Sequence, residues 1–297
     1  MKNWSRFAFF IAAVLWGTSF AFQKTLLVFI SPYSFIFWNF AVAFIILFCY
    51  ATIKGSNLLY RLPEGLFLGA LLAGIELFQT VGLAFTSSAN TVFISNLGML
   101  LIPYAGWMLF RHRVSLKDNV TVLLAVIGMY LLVGGVHGFG FGEAMLVLSA
   151  VCMAAYFPYL RRFEGEKSSH VLVLSVQQFF AVTVIAGAVV LYAQESFAVP
   201  SPILGNLFIQ ILVFTAIPYM MILWASQWAD EMVAAIYDGV VEPLVTCVVA
   251  WGFFAEPTTR ASVLGALLMV VAFSFASLFS GKHFLRRGLK ALNSFVR

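Results

Sequence analysis

Three carboxylic acids lie inside long apolar stretches of this sequence, where ionised side chains are rare: Glu76, Asp238 and Glu242. An ionised acid deep in hydrocarbon costs about 2.5–3.5 kcal/mol even on the most lenient scale. Each acid must therefore face a polar cavity, find a partner or be protonated. Asp238 and Glu242 are four residues apart, which puts both carboxylates on one helical face, about 6 Å apart along the axis. Such groups are suited to binding a cation or carrying a proton.

The depth of these acids supports the same hypothesis. At about 1.5 Å per residue, Glu76 and Glu242 lie roughly 14–16 Å from the ends of their stretches, and Asp238 about 8 Å. Glu76 shares its face with Gln79, three residues later. The alternative is structural, because each acid could bond a neighbouring helix, and Glu242, next to Pro243, suits either role.

The other acids fall at the ends of apolar stretches or in the connections between them. We expect water to solvate their carboxylates there. Glu143 and Glu256 belong to this group.

Ten apolar stretches must position the three inner acids. With 62% hydrophobic and 10% charged residues in 297, the chain cannot hide its apolar surface in one water-soluble core, so lipid must be its solvent. Unbroken apolarity favours helices over barrel strands, which alternate. The predicted segments are Phe7–Val28, Pro32–Ile53, Gly65–Phe85, Asn90–Phe110, Val120–Val136, Gly142–Leu160, Val171–Tyr192, Leu204–Ala225, Val233–Phe254 and Val263–Ser280.

Basic residues give the predicted orientation. Ten crossings would place all 17 lysines and arginines except Lys24 and Arg260 on one side. Basic residues gather in cytoplasmic loops, so both termini are predicted to be cytoplasmic. The net charge of +5 then reflects topology rather than nucleic-acid binding. The basic tail, residues 282–297, is either an interfacial amphipathic helix or a frayed terminus.

The cysteines and histidines indicate no metal or cofactor site. Cys49, Cys152 and Cys247 lie singly in separate stretches, without the spacing of metal ligands. All four histidines sit in connections or at the ends of stretches.

The sequence also divides into two weakly similar halves, residues 1–136 and 137–281. Ala13–Gly17 parallels Ala150–Ala154, and a basic residue, Lys24 or Arg161, follows at the same distance in each half. Because five helices is an odd number, the two repeats must be inverted. Inverted repeats place a binding site near the bilayer midplane, and rocking of one half against the other gives alternating access. The predicted fold is therefore an all-α polytopic membrane protein with two inverted five-helix repeats.

Several motifs add a family resemblance that covers nearly the whole chain. They are Trp16–Phe20, Gly82–Ala89, and Glu242-Pro243 followed by Phe254–Glu256. In their order and spacing the chain resembles the EamA-type ten-helix branch of the drug/metabolite transporter superfamily. The resemblance implies a carrier of the cytoplasmic (inner) membrane, often an exporter of amino acids or other small metabolites, with a central cavity lined by both halves.

The sequence departs from the family pattern in three places. Asn39 stands where helix two of such proteins usually carries an arginine, and Met99 and His112 do not echo Pro243 and Glu256 of the second half. These departures leave the fold prediction intact and leave the substrate open.

Candidate lining residues follow from the resemblance and from proximity to polar positions. Aromatic rings beside acids could hold an ammonium group through cation–π contact, although packing explains any single ring equally well. Besides the three acids, the candidates are Trp16, Ser19, Asn39, Gln79, Asn96, Tyr156, Tyr159, Tyr219, Trp224 and Tyr237.

The resulting hypothesis is a secondary transporter, expected to export an amino acid, amine or similar amphipathic metabolite, with coupling to protons left open. The expected partners are the small-molecule substrate and membrane lipid; no cofactor is expected, and a homodimer is left open. Uptake or facilitated diffusion is the nearest alternative. A membrane-embedded enzyme would need motifs such as HExxH, GxSxG or a P-loop, and a scaffold would need a large loop or a docking motif; the sequence contains none of these.

Overall fold

The computed structural model describes residues 2–110, 114–135, 138–163, 168–225 and 237–279. Within these ranges the regular structure is entirely helical and forms ten long helical segments. They are α1 Lys2–Leu26, α2 Pro32–Ile53, α3 Leu62–Phe85, α4 Ser88–Phe110, α5 Leu116–Val133, α6 Phe141–Leu160, α7 Ser168–Tyr192, α8 (204–225), α9 (237–252) and α10 Arg260–Phe279. The basic tail predicted at 282–297 lies outside the described residues.

Two of these helical segments, α8 and α9, contain a π-helical turn. In α8, the helical pieces Leu204–Ile211 and Ile217–Ala225 flank a π-helical turn, Leu212–Ala216. In α9, a π-helical turn, Tyr237–Val241, leads into Glu242–Gly252.

Seven of the described helices are long and apolar enough to cross a membrane by length and composition: α1, α2, α3, α5, α6, α7 and α8. This confirms the prediction of a helical membrane protein. Ten crossings and cytoplasmic termini stay predictions.

Local sequence sets several helix ends. Ser31 caps α2, where its hydroxyl accepts from the Ser34 N–H at 3.2 Å and Pro32 follows as a residue suited to a first turn. At α5, Ser115 and Asp118 form a capping box, and Gly134 ends the helix at φ 87°, where a side chain would be strained.

The main packing contacts join helices 1–5 with helices 6–10. The most extensive pairs are α3 with α6, α5 with α10, α4 with α6, α2 with α7, α3 with α7, and α1 with both α8 and α9. Small residues let the backbones approach: a Cβ added at Gly69 would lie 2.5 Å from the Ala181 Cβ, and one added at Gly17 would lie 2.6 Å from the Glu242 carbonyl oxygen. The interior is thus organised by contacts between sequence-distant helices.

Candidate functional site

Glu76 lies in α3, nine residues before the last residue of that helix, Phe85, and its side chain is partly buried. Among the described residues it makes no hydrogen bond or ion pair. The hydroxyls of Tyr156 and Tyr219 are close enough to interact electrostatically with its carboxylate. A carboxylate inside a helical bundle without a protein partner must be satisfied by water, a proton or a ligand.

The two tyrosines differ in how they are held. The Tyr156 hydroxyl donates a hydrogen bond to Oε1 of Gln178 at 2.6 Å. The Tyr219 ring packs edge-on against Trp16, with centroids 5.4 Å apart, and against Phe179 at 4.7 Å. Neither the Tyr219 hydroxyl nor the Trp16 indole N–H has a hydrogen-bond partner among the described residues. The Tyr219 ring, which interacts with Glu76 and packs on Trp16, therefore brings a hydroxyl and an indole N–H that are available for hydrogen bonding.

Glu242, the second acid of this neighbourhood, is 7% exposed and begins the α-helical part of α9. Its charge also acts on Tyr219. Its carbonyl accepts from the Thr246 hydroxyl at 3.0 Å. The predicted pairing with Asp238 stays a prediction, because the Asp238 side chain lies outside the described part of the structure.

Each of the two π-helical turns ends two residues before a proline near these residues. Proline lacks an N–H and collides with the carbonyl four residues earlier, and a wider turn relieves both problems. The turn Leu212–Ala216 precedes Pro218 and Tyr219, and the turn Tyr237–Val241 precedes Glu242 and Pro243. The prolines thus set the local backbone that presents Tyr219 and Glu242.

The polar amides lie at different distances from this centre. Asn39 is 6% exposed, and its Oδ1 accepts from the Thr215 hydroxyl at 3.0 Å, one turn before Tyr219. Gln79 is partly buried on the face of Glu76. Ser19 donates to the Trp16 carbonyl at 2.7 Å, and Asn96 is buried in α4.

The structure thus brings together a set that we call the central cluster. Its members share either an electrostatic interaction, a ring contact or a hydrogen bond with one another; they are Glu76, Glu242, Trp16, Tyr156, Tyr219 and Gln178. Gln178 was missed by the sequence analysis, because an amide in an apolar helix gives no sign of which neighbour it bonds.

Three other candidate aromatics are placed away from the central cluster. Tyr159 packs on Phe67 at 4.8 Å, and Tyr237 on Phe10 at 6.1 Å. Trp224 is 46% exposed and lines an apolar groove of about 490 Å³ between α1 and α8.

A second polar group, the α3–α4 clamp, lies where α3 ends and α4 begins. Glu256 accepts from the Ser88 N–H at 2.9 Å and the Ser88 hydroxyl at 2.6 Å, and it pairs with Lys24 at 3.4 Å. Its side chain is only 9% exposed. The expectation that water solvates Glu256 was wrong, because this carboxylate accepts hydrogen bonds from Ser88, the first residue of α4.

Glu143 completes the α3–α4 clamp. It is 5% exposed, accepts from the hydroxyl of Thr86 and from the Asn90 amide at 3.1 Å, and also accepts from the Gly140 N–H at 3.0 Å. The expectation of a solvated acid was wrong here too. Two acids of the second half of the chain therefore hold one turn of the first half.

A bundle of apolar, membrane-length helices around the acidic and aromatic side chains of the central cluster defines a polytopic membrane protein with a polar centre. The family model described as the EamA-like transporter family matches residues 3–134 and again 140–278. The chain belongs to the EamA-like transporter family and is a multi-pass membrane transporter. The resemblance seen in the sequence motifs is confirmed.

Two curated relatives agree with this assignment. The chain is 26% identical over 273 residues to an uncharacterized transporter of Archaeoglobus fulgidus, covering 90% of this chain and 84% of that protein. It is 26% identical over 287 residues to the uncharacterized transporter YyaM of Bacillus subtilis, covering 89% and 90%. One crystal structure aligns over 95% of this chain and 98% of its own, with a TM-score of 0.67 and 16% identity, which shows a shared fold.

Proposed function

We propose that this protein is a secondary transporter that exports a small amine-bearing metabolite across the cytoplasmic membrane by alternating access. The observation that carries the proposal is Glu76, a carboxylate in the bundle interior with no hydrogen-bond or ion-pair partner among the described residues. A structural acid would have such a partner. A binding site keeps its group available for the ligand.

The proposed architecture is ten crossings in two inverted repeats, residues 1–136 and 137–281. If each helix is replaced by its counterpart five helices away, the α1–α9 contact becomes the α6–α4 contact, and the α1–α8 contact becomes the α6–α3 contact. All four are among the main packing contacts of the structure. The α2–α7 and α5–α10 contacts map onto themselves. The packing pattern supports two related halves with the central cluster between them.

Proton coupling follows from the chemistry of one carboxylate. An ammonium group binds the ionised form of Glu76, and a proton occupies the same group when the substrate leaves. Binding of substrate and of proton then exclude each other, which is the requirement for exchange. An inward proton gradient would in this way drive export of a cationic solute.

The α3–α4 clamp supports a particular state of the cycle. In the proposed orientation its residues lie at the non-cytoplasmic end, with Lys24. Carboxylates of the second half hold the turn of the first half there. The structure then corresponds to the state closed on the outer side, and opening outward must release Glu143 and Glu256.

The test uses purified protein in sealed liposomes, with flux of labelled amines and amino acids followed with and without a pH gradient. We expect saturable flux that responds to the gradient and falls at least about tenfold in Glu76→Gln, since a neutral amide cannot compensate an ammonium charge. Glu64→Gln, at the start of the same helix, is the matched control and should retain wild-type flux.

Different outcomes separate the alternatives. Normal flux in Glu76→Gln would remove this carboxylate from the mechanism. Flux that ignores the pH gradient would indicate a facilitator, and coupling in the opposite direction would indicate uptake.

A further inference from the structure

Helices α1 and α3 meet at a polar contact although each packs mainly on other helices. The main contacts of α1 are with α8 and α9, and those of α3 are with α6 and α7, whereas α1 and α3 pack little on each other. Where they meet, the Gln23 amide N–H donates to the Thr80 hydroxyl oxygen at 3.0 Å. We call this pair the α1–α3 bridge. Two helices joined in this way can separate with little loss of packing.

The Thr80 hydroxyl is used differently from those of other threonines in the bundle. A threonine inside a helix commonly bonds the carbonyl four residues earlier. Thr18, Thr91 and Thr246 do so here, at 2.8, 2.9 and 3.0 Å. Thr80 is only 2% exposed, and its hydroxyl joins two different helices.

The α1–α3 bridge lies between the central cluster and the α3–α4 clamp. Along α3, Thr80 is four residues, about 6 Å, beyond Glu76 in the direction of the α3–α4 turn. Along α1, Gln23 directly precedes Lys24, which pairs with Glu256 of the clamp. In the proposed orientation, the bridge is therefore one step outward of Glu76 and one step inward of the clamp.

The α3 side of this contact is polar. Glu76 and Gln79 are partly buried, and neither makes a hydrogen bond within the described ranges. Together with Thr80 they share one helical face, because residues three and four apart are neighbours on a helix. A solute that moves outward from Glu76 along this face would meet hydrogen-bonding groups before it reached the clamp.

We propose that the outward route from the central cluster runs between α1 and α3, and that the α1–α3 bridge is a barrier on it, in series with the α3–α4 clamp. The bridge breaks when the outer side opens and forms again when it closes. An ammonium group promotes the break, because it donates to the Thr80 oxygen in place of the Gln23 amide. This inference rests on the proposed transport function and adds two residues that the sequence analysis missed.

Cross-linking tests whether α1 and α3 have to separate. The double variant Gln23→Cys/Thr80→Cys is placed in sealed liposomes and treated with a short bis-methanethiosulfonate, which joins two nearby thiols and is removed by dithiothreitol. Flux is measured with the labelled amines and amino acids named above. We expect it to fall in proportion to the cross-linked fraction, measured by mass spectrometry, and to recover on reduction.

A matched cross-link is available within one extensively packed helix pair. A Cβ added at Gly74 of α3 would lie 3.6 Å from the Cβ of Cys152 in α6, a separation that suits a disulfide. Oxidation of Gly74→Cys with the native Cys152 should leave flux unchanged, because helices packed so closely are expected to move together. The wild type and both single variants receive the same reagents.

A second measurement needs neither a cross-link nor a transported substrate. Thr80→Val keeps the shape of the side chain and removes the hydroxyl of the bridge. In intact cells, an impermeant maleimide added outside should label Gln79→Cys at least about threefold faster when Thr80→Val is also present, since losing one hydrogen bond shifts an equilibrium by that order. Thr183→Val removes a hydroxyl that bonds its own helix, and it should leave the rate unchanged.

The outcomes distinguish this inference from the proposed function. Full flux with the bridge cross-linked, or an equal loss of flux with Gly74→Cys joined to Cys152, would overturn the route between α1 and α3. A labelling rate that ignores Thr80→Val would overturn the bridge as a barrier. Flux lost in Glu76→Gln but indifferent to the bridge cross-link would leave the transport site intact and overturn only the route.

Discussion

Glu256→Gln tests the α3–α4 clamp with the smallest change in shape. The carboxylate accepts two hydrogen bonds from Ser88, at 2.9 and 2.6 Å, and is 9% exposed. A hydrogen bond to a charged acceptor contributes about 1.5–3 kcal/mol, and one to a neutral acceptor about 1. The amide of Gln has a single acceptor oxygen, so it can accept from the Ser88 N–H only as a neutral group, and the Ser88 hydroxyl has to turn and accept from the amide N–H. We expect the free energy of unfolding to fall by about 2 kcal/mol. Lys24 adds little, because it is 36% exposed.

A matched control exists in the same chain. Asp118 accepts from the same kinds of donor, the Ser115 N–H at 2.9 Å and the Ser115 hydroxyl at 2.7 Å, both at Oδ2 and in exposed surroundings. Asp118→Asn should cost less than about 1 kcal/mol, since water replaces the lost contact. The comparison isolates burial as the cause.

The assay is reversible unfolding of protein in mild detergent by titration with sodium dodecyl sulfate, followed by circular dichroism. Ser88→Ala, alone and combined with Glu256→Gln, completes a double-mutant cycle. We expect a coupling energy of about 1–2 kcal/mol between the two positions. A coupling near zero, or equal effects of Glu256→Gln and Asp118→Asn, would refute the reasoning that a buried clamp joins the two halves.

Two further predictions concern packing and the second clamp acid. Gly17→Ala should lower the melting temperature and reduce flux, because the new Cβ would lie 2.6 Å from the Glu242 carbonyl oxygen. Gly205→Ala is the control, since its Cβ would meet no atom within 4 Å, and it should be neutral. Thermal unfolding and liposome flux of both variants check this, and equal behaviour of the two would contradict it. Thr86→Val and Glu143→Gln should each lower the free energy of unfolding by about 1–3 kcal/mol, and together by less than the sum, since they remove two members of one network; a fully additive result in the same unfolding assay would count against the network.

The helices could be predicted well because their cause is local. An apolar run such as Pro32–Ile53 needs only its own composition to become α2, and the predicted and observed bounds agree there. Helix ends were predicted less well: α3 begins at Leu62 rather than at the predicted Gly65, and α5 begins at Leu116, after its Ser115 cap, rather than at the predicted Val120. Those differences reflect turns and caps that apolarity does not encode.

The clamp could not be predicted because its contacts are remote in sequence. Glu256 meets Ser88 across 168 positions, and Glu143 meets Asn90 across 53. An acid at a helix end is solvated in most places, so only the folded bundle reveals which ends are covered. By contrast, Glu76 could be singled out from the sequence, because an acid in the middle of an apolar helix is unusual wherever its neighbours lie.

The cross-half packing has a consequence for how the protein is made. Helices α1 to α5 leave the ribosome before most of the helices that they pack against have been made. The glycines of the first half that contact the second half, Gly17, Gly65 and Gly69, therefore remain without their partners Val245, Gln177 and Ala181 until those residues are synthesised. During that interval the nascent first half has only lipid, chaperones or other chains against its small-residue faces. The bilayer insertion machinery therefore has to keep an unfinished bundle from choosing wrong partners, and the two halves expressed as separate chains should each be degraded unless they are produced together.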